Sequence, residues 1–140
     1  MTKGNLEAVA AFQVTRWDQS PSGEDDGSPP HLSRAIVGKR FTGDLEGEST
    51  AELLMCQADP KDLAAGAGYV ASEQVIGRLA GRAGSFVLQH WGVSDADEQR
   101  TGGYVVPGSG TDELVGLSGE VEITVAPDGG HTLTLRYALP

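Results

Sequence analysis

The chain has one cysteine, Cys56, in 140 residues, so it can close no intramolecular disulfide and suits a reducing compartment. No apolar run approaches the ~20 residues that span a bilayer. The opening stretch MTKGNLEAVAAFQVTRWD turns polar too early for a secretory signal, and a cytoplasmic protein is expected. Bases are scarce, with 10 Lys and Arg against 20 Asp and Glu and a net charge of −10. Binding nucleic acid or an anionic membrane requires clustered Lys and Arg, so neither is expected as a partner. The three histidines, His31, His90 and His131, lie far apart without metal-ligand spacing, and no metal is expected. Ser85 sits in no nucleophile elbow, and Cys56 has no motif around it. The glycine loop in VVPGSGTDEL (105–114) lacks a P-loop lysine, and Asp112 and Glu113 would repel phosphate. It reads as a strand leaving into a short turn capped by Thr111. No cofactor is implied.

Glycine, in contrast, is plentiful: twenty residues punctuate short alternating apolar segments, the pattern of strands joined by tight turns. The spacing predicts strands near 9–18, 31–41, 48–57, 68–79, 84–94, 100–106, 119–126 and 131–139. Residues 1–140 then form one all-β domain, a sandwich or a closed barrel. The clearest hairpin is C-terminal. There Val121, Ile123 and Val125, then Leu133, Leu135, Tyr137 and Leu139, alternate with polar residues about the turn at 127–130. The acidic, proline-rich QSPSGEDDGSPP (19–30) reads as a surface loop.

The stretch GRLAGRAGSFVLQHWG (77–92) carries the densest chemistry. A type II′ turn at Gly81-Arg82 pairs Val75 with Leu88 and Glu73 with His90, all on the face that includes Phe86. A two-residue shift keeps these faces but moves Glu73 off His90. A carboxylate and an imidazole meeting on an apolar face can be poised for proton transfer; a satisfied polar contact fits the same pattern. Glu52, flanked in phase by Leu54 and Cys56, is an alternate acid. Trp17 and Trp91 are candidate walls of a ligand site, Gln89 an orienting donor, and Phe86, Leu88 and Tyr104 complete the candidate lining. Gln89 shares the opposite face with Ile76, Val87 and Trp91, a candidate surface for a homo-oligomer if it points outward.

The blocks AFQVTRWD, GDLEGESTAE, GRLAGRAGSFVLQHWG and VVPGSGTDELVGLSGE resemble, in order and over nearly the whole chain, those of a family of small bacterial proteins of unknown function. The fold of that family is similar to the allene oxide cyclase barrel. The resemblance implies a single eight-stranded antiparallel barrel with a central cavity. It also implies a cofactor-free isomerase or cyclase acting on a largely apolar small molecule. The resemblance carries no catalytic set, and Glu73 and His90 are the candidate acid/base pair from their shared face alone. A non-catalytic binding barrel, or one packed solid, is the alternative.

Overall fold

A computed structural model of the chain describes residues 5–22 and 28–140. Eight strands form a closed antiparallel barrel in which each pairs with its sequence neighbours and β8 returns to β1. They are β1 (Leu6–Pro21), β2 (His31–Gly43), β3 (Leu45–Gln57), β4 (Ala67–Leu79), β5 (Arg82–Ser94), β6 (Gln99–Val105), β7 (Ser118–Val125) and β8 (His131–Ala138). All eight expected strands are present, most of them a few residues longer than the alternation suggested. Gln19, Ser20 and Pro21, expected in a loop, continue β1; residues 23–27 of that stretch lie outside the described residues. No helix among the described residues is long and apolar enough to cross a membrane.

Closure resolves which face points inward. Val75, Phe86 and Leu88 are fully buried, and with Phe41, Leu45, Leu79, Leu133 and Leu135 they fill one end of the barrel. That end is sealed by a 3₁₀ turn, Asp112–Leu114, whose Leu114 is completely buried beside Leu117. Thr111 does not cap this turn through its side chain. Its hydroxyl accepts the Ser85 amide at 3.0 Å instead, tying the plug to β5.

Two local features set the register. The β4–β5 turn is Ala80-Gly81, with φ +49° and +84° and Leu79 opposite Arg82, the type I′ geometry. It replaces the type II′ turn expected at Gly81-Arg82 and shifts the pairing by two, so Glu73 faces Leu88 and His90 faces Ala71. In β1, the register shifts between Val14 and Arg16. This bulge reverses the alternation: Phe12 points inward before it, and Trp17 and Gln19, opposite Val37 and Ala35, point inward after it.

Where β3 crosses β4, Gly47 lies directly opposite Gly77. A Cβ on Gly77 would sit 2.0 Å from the Glu46 carbonyl oxygen and 2.8 Å from the Gly47 Cα, backbone atoms that cannot step aside. Gly77→Ala is therefore expected to cost about 3 kcal/mol as an overpacking change. Urea denaturation would read this as a lowered midpoint at unchanged slope.

Candidate functional site

Polar residues interrupt the apolar interior at one level. On β2, Lys39 is in phase with Val37 and Phe41; on β3, Ser49 is in phase with Ala51; on β4, Glu73 is in phase with Ala71 and Val75; on β5, His90 is in phase with Phe86 and Leu88. All four side chains are buried, and they converge on one carboxylate. Lys39 Nζ donates to Glu73 Oε1 at 2.9 Å, and Ser49 Oγ donates to Oε2 at 2.6 Å. His90 Nε2 lies 2.8 Å from Oε1. The Glu73–His90 contact forms despite the two-residue shift, because diagonal neighbours on one face remain within reach of long side chains. The Lys39 ammonium also lies 4.7 Å from the Phe12 ring centroid, a favourable cation–π placement.

Burial alone would push the Glu73 carboxyl up. The hydrogen bond with His90, the Lys39 ammonium and the Ser49 hydroxyl together outweigh it and hold the group down at about 2. Glu73 is thus a fixed carboxylate at neutral pH. An ionised carboxylate can only accept, so Nε2 of His90 carries the proton between them. The opposite nitrogen, Nδ1, lies 3.1 Å from the Tyr69 hydroxyl. Burial, reinforced by the Glu73 charge, pushes the Tyr69 phenol up to about 12. Every buried polar side-chain atom among the described residues has a partner.

Two glycines make room for this arrangement. Gly92 faces Tyr69 across the β4–β5 pair, and a Cβ there would meet the Tyr69 ring at 2.6 Å. Gly103 faces His90, and a Cβ there would meet His90 Cβ at 2.6 Å and Val121 Cγ1 at 2.8 Å. The ring of Tyr69 stands edge-on to His90, with centroids 5.6 Å apart.

Tyr69 forms part of the wall of a cavity of about 300 Å³ at the open end of the barrel, together with Trp17, Gln19, Met55 and Thr101. Trp17 Nε1 donates to Gln19 Oε1 at 3.0 Å, and Gln19 Nε2 donates to Ser33 Oγ at 3.1 Å. The route from buried carboxylate to mouth is therefore Glu73, His90, Tyr69.

The remaining candidates separate from this centre. Phe86 and Leu88 belong to the sealed apolar end. Glu52, Gln89, Trp91 and Tyr104 lie on the outer face of the sheet, where they line a different and larger concavity. There Tyr104 donates to Gln89 Oε1 at 2.7 Å, and Gln89 donates to Ser72 Oγ at 3.1 Å. No group of three or more His, Cys, Asp or Glu side chains that could hold a metal occurs among the described residues. Lys39, Ser49 and Tyr69 were not singled out from the sequence. Their signal was a lone polar residue, or a tyrosine hydroxyl, in phase with an otherwise apolar face.

The lowered Glu73 pKa makes stability depend on pH in a stated direction. Native Glu73 releases its proton more readily than the unfolded side chain at about 4.5. Its contribution is present in full above that value and is lost as pH falls toward about 2. At ~1.4 kcal/mol per pH unit, the loss is on the order of 3 kcal/mol. Glu73→Gln should remove this acid limb in pH-dependent urea titrations. At pH 7 it should also destabilise by about 3–5 kcal/mol by leaving the Lys39 charge buried without its partner.

The chain matches the family described as Protein of unknown function (DUF3224) over residues 8–137, from β1 into β8. It is similar to a DUF3224 protein of unknown function from Shewanella oneidensis MR-1, whose crystal structure superposes with a TM-score of 0.82. The two are 35% identical, and the match covers 96% of this chain and 98% of the other. No curated protein matches the chain. With the blocks of its sequence and its closed barrel both matched, the chain belongs to the DUF3224 family.

Proposed function

We propose that the protein is a cofactor-free isomerase or cyclase acting on a small, largely apolar molecule seated in the barrel mouth. The observation that carries this reading is the Tyr69 hydroxyl. It joins the wall of the 300 Å³ cavity to the buried His90–Glu73 pair. That volume is at the small end of ligand pockets, and its lining of Trp17, Met55, Thr101 and the Gln19 amide suits a neutral compound with one polar group, such as an enone or an epoxide.

In this mechanism the Tyr69 oxygen takes a proton from an activated C–H of the substrate as its own proton passes to Nδ1 of His90. The imidazolium so formed faces the Glu73 carboxylate, which is already ionised and already in hydrogen-bond contact. The reverse transfer returns the proton to a different atom of the substrate. The product is an isomer, and no electrons enter or leave. Seating the substrate in a near-reactive conformer supplies the remainder of the acceleration. The resemblance to the allene oxide cyclase barrel, whose relatives fold reactive intermediates without a cofactor, supports the same class.

A non-catalytic binding barrel is the second reading. It is favoured by the saturation of Glu73, whose oxygens are engaged by Lys39, Ser49 and His90 with no ligand needed.

Thermal-shift measurements over neutral enones, epoxides and polyenes, followed by turnover assays on the compounds that bind, test both readings. A ligand that binds only the folded state raises the melting temperature. Tyr69→Phe removes one hydroxyl and keeps the ring on Gly92. The enzyme reading expects it to retain the shift and to lose about 10²-fold or more in turnover, the usual size of a general acid/base contribution. Binding without turnover in the unaltered protein makes it a carrier. No shift with any compound overturns both.

A further inference from the structure

The larger concavity, of about 870 Å³, lies outside the barrel and crosses β1 to β5 at one level with Tyr104 of β6 at its edge, sharing only Gln19 with the lining of the mouth. Each of β1 to β5 contributes three successive residues to it: 18–20, 34–36, 52–54, 70–72 and 89–91. The outer two of each triplet point outward; the middle one points inward, lining the groove with its backbone. Such a groove is the waist of a twisted barrel, concave along the strands and convex around the circumference. Its floor is apolar where solvent-exposed sheet normally is not: Leu54, Val70 and Trp91 are 57%, 55% and 41% exposed, and they sit side by side across β3, β4 and β5.

Four residues at the β2–β3 end give this surface a pattern. Ile36 faces Glu52, and Arg34 faces Leu54 in the next outward pair. One diagonal of this square, Ile36–Leu54, is apolar, and the other, Arg34–Glu52, carries opposite charges. Neither Arg34 nor Glu52 has a salt bridge or side-chain hydrogen bond among the described residues, whereas Arg40–Glu48 further along the same strand pair does.

We propose that this face is the contact surface for a second copy of the chain. The twofold axis would lie in the plane of the contact along the Ile36–Leu54 diagonal. That axis sets Leu54 and Ile36 against their own counterparts and exchanges the other diagonal, so that Arg34 of each copy meets Glu52 of the other. This is the self-complementarity that an isologous interface requires. The shape agrees independently. Residues two apart on a strand are ~6.6 Å apart and adjacent strands ~4.8 Å, so this axis crosses the two sets of strands at about 70°. At that angle the convex circumference of one barrel seats in the concave waist of the other. Val70 and Trp91 extend the apolar contact beyond the axis. The chain's net charge of −10 repels a second copy overall, whereas Asp18, Arg34 and Glu52 leave this patch close to neutral, so two copies can approach on it.

Two experiments on the full chain test the arrangement. Sedimentation velocity should find a dimer. Arg34→Glu and Glu52→Arg should each weaken it about tenfold or more by opposing like charges, while the double reversal restores it. In a Cys56→Ser background, Leu54→Cys should give a covalent dimer under mild oxidation, because the axis brings that position against itself. Ile76→Cys, at an exposed apolar position outside the groove, should not. Circular dichroism and melting temperature confirm that each variant is folded. A monomer at concentrations up to about 1 mM, where even a weak millimolar dimer would be half formed, overturns the proposal. So does a dimer that Leu54→Cys fails to cross-link or that the double reversal fails to restore.

Discussion

A lysine and a glutamate buried inside one small barrel are the constraint on which the interior is organised. Lys39 and Glu73 are 7% and 0% exposed, and either charge alone would be too costly to bury. Together, with the Ser49 hydroxyl, the His90 imidazole and the Phe12 ring around them, they form a compact, internally balanced group. The group divides the interior in two. On one side Phe41, Phe86, Leu88 and Leu114 pack to the sealed end; on the other the lining turns mixed and the cavity opens. The division also fixes the chemistry: His90 has one nitrogen committed to Glu73 and the other directed through Tyr69 to the mouth.

The backbone is shaped around that group. Gly103 lets β6 pass close beside His90, and Gly92 gives the Tyr69 ring a flat bed. The bulge in β1 is a third adjustment, because without its extra residue Trp17 and Gln19 would point outward and the mouth would lose one wall. On the outer face Trp91 lies over Gly102 in the same manner, so the β4, β5 and β6 ribbon uses glycine opposite an aromatic ring on both of its surfaces. The inner instance serves the mouth and the outer one the groove.

Much of this was legible from alternation alone. The number and positions of the strands follow from the apolar periods and the glycine-rich turns, which leave a sandwich and a barrel equally open. The resemblance to a barrel family points to closure, and β8 pairing with β1 provides it. Glu73 and His90 share a face in any even register, which is why their contact survives the displacement of the turn to Ala80-Gly81. That displacement was not legible, because an alanine at φ +49° is tolerated here by tertiary context and answers to no turn preference. Period-two reasoning likewise separates Gln89 and Trp91 from His90 but cannot say which set faces inward; barrel closure decides it. Lys39 and Ser49 each appear as a single polar residue in an apolar phase. Their convergence on Glu73 depends on three strand pairings at once, which no local pattern encodes.

The three tyrosines occupy three compartments: Tyr69 the mouth, Tyr104 the outer groove and Tyr137 the closed core. The most direct measurement is carbon NMR of protein labelled at the tyrosine ring carbon bearing the hydroxyl, recorded while a small neutral enone is titrated in. The account predicts that the Tyr69 resonance moves saturably while those of Tyr104 and Tyr137 stay in place. A shift confined to Tyr104, or no shift at any of the three, would contradict a ligand site built on Tyr69, His90 and Glu73.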